Sequence, residues 1–207
     1  MNQPTNSTLL LATLNRGKLR EFQDMLSLIP VQLRNLMDFP NLVEVEEVGH
    51  SFRENAILKA KGYAEQTGLI TLADDSGLEV QALGGAPGVL SARYAGEQAS
   101  DAARVDKLLT ELSLTRDAER RARFVCVIAI FDSTTKKLVT FEGTCAGRIA
   151  HEPLGTHGFG YDPIFIPDGY TESFGSLSCS IKDKISHRGV ALTAASAYLG
   201  EIITRLA

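Results

Sequence analysis

Asp74-Asp75-Ser76-Gly77 sets two adjacent carboxylates and a hydroxyl directly behind the apolar run Leu69–Ala73. That run reads as a buried strand, and in α/β proteins ligands gather at the carboxyl ends of strands. Carboxylates crowded there repel each other unless a cation or a proton intervenes. The pair is therefore a candidate for holding Mg²⁺ and activating a water. Asp, Ser and Gly are also turn formers, so on this segment alone an acidic turn closing the strand is an equal reading.

Other segments carry chemistry of the same kind. Thr13-Leu14-Asn15-Arg16-Gly17-Lys18 lies between a strand and a helix, where backbone N–H groups and Lys18 suit a phosphate. Its spacing is not that of a P-loop. Lys59 shares a helix face with Asn55, four residues before it. Glu46-Glu47 could add a carboxylate to a metal, since Mg²⁺ takes one or two carboxylates plus substrate phosphates and waters. Phe159-Gly160-Tyr161-Asp162 puts two aromatics in a glycine-rich loop, where they either stack on a base or fold back into the core. Lys182 and Ser186-His187-Arg188 stand at the start of the last helix. Ser186 suits the N-cap. Cations beside the positive end of a helix dipole serve an anion or a purine edge better than they serve stability, and Arg matches a purine O6 and N7.

These residues need elements to hold them. Ser7–Thr13 reads as a strand, Leu19–Leu28 as a helix and Val31–Leu36 as a strand. Phe39–Gly49 is an acidic connection. Ser51 and Glu54 form a capping box that opens a helix to Thr67, with Phe52, Ala56, Ala60 and Ala64 on one face. Leu83–Gly88 is irregular, Ser100–Leu112 is a helix and Thr115–Arg123 a charged surface loop. Arg123–Asp132 and Lys137–Glu142 make a hairpin, and Thr144–His151 a further strand. Gly155–Pro163 is a second glycine-rich loop and Ile164–Ile166 a short strand. A helix over Ser186–Leu206 closes the chain, with Val190, Ala194, Tyr198, Ile202 and Leu206 as its apolar ridge.

At 207 residues the chain is long enough for one large domain or two intimate lobes, and residues 1–7 read as a polar tail. A net charge of −4 argues against a broad nucleic-acid footprint, and no run is apolar enough for a membrane span. Cys126, Cys145 and Cys179 are odd in number and scattered, which suggests neither a metal site nor a disulfide framework. A reducing cytoplasm fits that usage.

Taken together and in this order, Asp74–Leu78, Leu83–Gly88, Ser91–Tyr94, Phe159–Pro163 and Ser186–Arg188 resemble the inosine triphosphate pyrophosphatase family. The resemblance runs from about Leu9 to Leu199. It implies hydrolysis of deaminated purine triphosphates (ITP, dITP, XTP) to the monophosphate and pyrophosphate. It also implies an elongated α/β fold, with a mixed sheet flanked by helices, two lobes, a nucleotide in the cleft between them, and a homodimer. Residue by residue, Thr13, Leu14, Asn15, Arg16, Gly17 and Lys18 resemble the phosphate loop. Asp75 resembles the proton acceptor and a metal ligand, and Glu46 the second ligand of a Mg²⁺ (or Mn²⁺). Lys59 resembles a phosphate-facing lysine and Ser76 a substrate contact. Phe159, Gly160, Tyr161 and Asp162 resemble the base loop, while Lys182, His187 and Arg188 resemble the purine- and phosphate-binding set. Leu14 departs from the pattern, since many relatives carry glycine there. The segment Ser176–Ile181 departs too, lacking the expected acidic residues. Two other readings stay open: a phosphohydrolase releasing orthophosphate, and a non-catalytic purine-nucleotide sensor.

Overall fold

The computed structural model describes residues 8–27, 29–115 and 120–206. The expected N-terminal tail, Leu28 and part of the charged loop before Arg121 lie outside them. Six strands form one mixed sheet in the order β2-β1-β3-β4-β5-β6. They are β1 (Thr8–Leu11), β2 (Gln32–Asn35), β3 (Ile70–Val80), β4 (Arg121–Asp132), β5 (Lys137–Ile149) and β6 (Phe165–Pro167). The helices are α1 (Arg16–Met25), α2 (Phe52–Thr67), α3 (Asp101–Ser113), α4 (Cys179–Ile185) and α5 (His187–Leu206). β1 pairs in parallel with both β2 and β3, and β5 pairs antiparallel with β6. The α/β class and mixed sheet agree with the sequence reading. Among the described residues, no helix is long and apolar enough to cross a membrane.

The chain forms two compact units. Among the described residues, one comprises those within 8–75, 127–142 and 191–206, the other those within 76–126 and 143–190. In the first, Leu9–Leu11 and Leu72 are buried with Phe22, Ala56, Ala60, Val127–Phe131, Ala195 and Leu199. The second has its own core of Leu78, Val80, Leu108, Phe124, Tyr161, Phe165, Phe174 and Leu177.

Several elements depart from expectation. The Asp74–Gly77 stretch is no turn: β3 runs on through it to Val80, and nearly every residue of that strand is buried. Local turn propensity yields here to ion pairing from elsewhere in the chain. α1 begins at Arg16, three residues early, because Asn15 caps it and accepts from Lys18 N at 3.0 Å. Lys137–Glu142 and Thr144–His151 are not two strands but one, continuous through Gly143. α4 was not expected. Along α5 the buried ridge is Ala191, Leu192, Ala195, Leu199 and Ile202, while Val190 and Ala194 are exposed. With alanines on several sides of that helix, its apolar face is poorly marked by periodicity. The Ser51 cap does form, accepting from Glu54 N. The reciprocal bond comes from His50 N to Glu54 Oε2, one residue earlier than in a capping box. Gly68, in the left-handed region at φ 71°, ends α2.

Candidate active site

In the first unit, β1 and β3 run parallel with Leu11 opposite Leu72. The loop Thr13–Asn15 and the first turn of α1 therefore follow the carboxyl end of β1, at the level where β3 carries Asp74 and Asp75. Thr13 Oγ1 accepts from Asn15 N at 3.2 Å, which shapes the entry to α1. Arg16, Gly17 and Lys18 are thus helical residues whose N–H groups head α1. Leu14 is exposed. Lys136 is the one non-glycine residue at positive φ among the described residues, so the backbone at position 14 does not require glycine and leucine fits.

Adjacent residues of a strand point to opposite faces, and the two aspartates have different partners. Asp74, whose side chain is fully buried, pairs with Lys18 Nζ at 3.0 Å. Asp75 meets α2: Asn55 Nδ2 donates to its Oδ2 at 3.2 Å and Lys59 Nζ to its Oδ1 at 3.4 Å. Lys59 also pairs with Glu47 Oε1 at 3.1 Å. Asn55 Oδ1 accepts from Gly49 N at 2.8 Å, tying the acidic connection to α2. A side chain at Gly49 would place its Cβ 2.6 Å from that oxygen.

Glu46, the expected second ligand, is exposed, and Glu47 is the half-buried one turned toward Lys59. The burial alternates Val45 in, Glu46 out, Glu47 in, as an extended segment requires. Two residues outside the expected set of site residues therefore join this ion-paired cluster. Glu47 was the other member of the acidic pair, and Asn55 was visible only as a face-mate of Lys59.

The electrostatics follow from burial and from three carboxylates facing two ammonium groups. Burial raises the pKa of Asp75, overcoming the attraction of Lys59 and Lys18, and Glu47 and Asp74 push it further up. For Lys59 burial acts downward, but Asp75, Glu47 and Asp74 outweigh it, so its pKa is raised. Asp75 and Glu47 already converge on one cation, the Lys59 ammonium. Hard oxygen donors in slight excess of positive charge are the donor set Mg²⁺ takes, so the residues present fit a divalent ion. Among the described residues no group of three or more His, Cys, Asp or Glu could hold a metal. Substrate phosphates and water would have to complete the shell.

The second unit assembles the remaining residues. Arg188, 1 % exposed, donates from Nη2 to Ser76 Oγ at 3.0 Å, and its guanidinium lies 5.8 Å from the Phe159 ring centre. Lys182 Nζ pairs with Asp162 Oδ2 at 2.5 Å and lies 4.9 Å from the Phe159 ring centre. Asp162 Oδ2 also accepts from Phe159 N at 2.8 Å. Asp101, at the start of α3, accepts from Gly160 N at 2.6 Å, a latch with no signal in the sequence. Tyr161 folds back into the core and donates its hydroxyl to Ser91 O at 3.0 Å. Of the two loop aromatics, Phe159 is the one that faces the cations. Ser186 caps α5, accepting from Gly189 N at 3.1 Å. His187 follows, stacked on Phe124. This cluster of Phe159, Lys182, His187 and Arg188 offers a flat π-face and several donors, which suits a planar heterocycle carrying acceptors.

The chain is similar to known proteins over nearly its whole length. The Ham1 family model matches residues 9–198. A dITP/XTP pyrophosphatase of Bacillus anthracis is 48% identical over 184 residues, covering 88% of this chain and 91% of its own. One from Desulforamulus reducens is 48% identical over 198 residues, 96% of each chain. The solved structure of a HAM1 protein from Coxiella burnetii superposes with a TM-score of 0.86 at 43% identity, covering 94% of this chain and 98% of that one. Motif order, fold and nearly full-length similarity lead to the same conclusion: this chain belongs to the Ham1 family.

Proposed function

We propose that this protein is a nucleoside-triphosphate pyrophosphatase that hydrolyses deaminated purine nucleotides, ITP and dITP, XTP and dXTP, to the monophosphate and pyrophosphate. The observation that carries the reading is Asp75: a buried strand carboxylate gripped by Asn55 and Lys59, beside a second carboxylate on the same lysine. A sensor would need the base-binding cluster but not this acidic one. The similarity to dITP/XTP pyrophosphatases supports the same choice.

Asp75 and Glu47 would hold the metal ion, Mg²⁺ or Mn²⁺, in place of the expected pair Asp75 and Glu46. Bound there, the ion would neutralise charge developing on the phosphates. Lys18 and the head of α1 bind the phosphate chain, and Lys59 adds a second ammonium. Asp75 accepts a proton from water. The water oxygen bonds to the α-phosphorus, the bond to the bridging oxygen breaks, and pyrophosphate leaves. Phe159 stacks on the purine. Arg188 only donates, so it pairs with a 6-oxo group and faces an adenine amine unfavourably. A site built on such a contact rejects the wrong group strongly. The enzyme acts in the cytoplasm, a placement its three free thiols support, and as a homodimer, which the family resemblance supports.

The test is turnover of dITP and XTP beside dATP and dGTP, with and without Mg²⁺, resolving pyrophosphate from orthophosphate. Metal-dependent pyrophosphate release confined to the deaminated bases is the expected result. Orthophosphate, or binding without turnover, would refute it.

A further inference from the structure

We propose that Phe124 is a positioning residue for purine recognition, fixing the plane in which His187 presents its ring nitrogens. The proposal rests on the reading that His187 and Arg188 face the base. Phe124 lies on β4, distant in sequence from every motif discussed above. Its ring is stacked on His187, with centroids 4.6 Å apart and planes 10° from parallel. Both residues are buried, at 6% and 5% exposure. Phe124 is itself fixed by Phe165, tilted at 4.6 Å, and by Phe174 at 6.3 Å. Phe174 in turn lies 5.7 Å from Lys182 Nζ. One aromatic cluster therefore supports two of the polar residues assigned to the base.

The physical argument is directional. Imidazole nitrogens make hydrogen bonds in the plane of the ring. A flat hydrocarbon covering one face leaves the ring able to slide but not to tilt, so the directions of both nitrogens are restricted to one plane. Arg188, the next residue, is pinned through Ser76. A tilt of His187 would thus misalign two neighbouring donors that must address one rigid purine edge together. Leucine or methionine fills volume in such a core but offers no flat face.

The test uses Phe124→Leu and Phe124→Met, with Phe124→Tyr, which keeps the face, as the rescue. kcat and KM are measured for dITP and dATP with Mg²⁺. The histidine Hε1 resonances are recorded as well. The chain has four histidines, so a His187→Asn spectrum assigns the one needed. Losing this stacked pair should raise KM for dITP about three- to tenfold in the leucine and methionine variants. kcat should hold within about twofold, the preference for dITP over dATP should fall in step with KM, and the His187 resonance should move as the ring current is lost. Phe124→Tyr should restore all three. Loss of preference in His187→Asn but in neither ring-less variant would overturn the inference and leave the functional reading intact. A wild type with no preference for dITP would overturn the reading beneath it.

Discussion

Asp75 shows how burial and chemistry trade against each other in a single side chain. Its folded pKa lies above the ordinary 3.8, chiefly through burial. A carboxylate raised in this way contributes stability only while protonated, and that contribution is lost as pH rises through the folded pKa. Asp75→Asn should therefore abolish turnover, by about a thousandfold or more, while melting no lower than wild type at neutral pH in metal-free buffer. Circular dichroism melts beside pyrophosphate assays check both halves. Lys59→Met should behave oppositely. It leaves Asp75 and Glu47 without their shared ammonium, and breaking a buried pair costs about 3–5 kcal/mol. Urea unfolding should show that loss in EDTA, and a larger recovery with Mg²⁺ than wild type shows. At this scale the sequence announced Asp75, Lys18 and the basic set around the start of α5. Of the adjacent glutamates it favoured Glu46, whereas the alternation of the extended segment turns Glu47 toward Lys59. Asp101 and Phe124 were beyond reach, since their roles exist only through contacts with distant residues.

Helix and strand boundaries tell a similar story, with a different cause. α4 and α5 meet at Ser186, and a Cβ on Gly189 would overlap the carbonyl oxygen of Asp183. Gly189→Ala should cost about 1–3 kcal/mol and raise KM for dITP, because His187 and Arg188 sit at that corner; equilibrium unfolding and steady-state kinetics measure the two effects. α2 was legible, since its cap, its alanine face and its terminal glycine are all local signals. β3 was legible only to Ala73. Its next residues favour turns, and the lysines that neutralise them lie far away in sequence. β5 was split in two because Gly143 and its polar neighbours resemble a break, whereas pairing with strands on either side carries the strand through.

For the molecule as a whole, the thiols give the clearest test. Cys179 is exposed, while Cys126 and Cys145 are buried. Burial pushes the Cys145 thiol up from 9.0 to about 11. A thiol reagent at neutral pH should label Cys179 in the native protein and all three cysteines after unfolding, as mass spectrometry would show. Because the folded state holds the Cys145 proton more tightly, that group contributes a loss of stability as pH rises from about 9 to about 11. Cys145→Ala should flatten this slope in alkaline urea titrations. The motifs were legible as a set, but the interleaving of the two compact units was not. Among the described residues the chain passes from one unit to the other at four points, after Asp75, Cys126, Glu142 and Val190. Neither unit is a contiguous stretch of gene. Any contiguous segment that carries one unit whole therefore carries residues of the other with it.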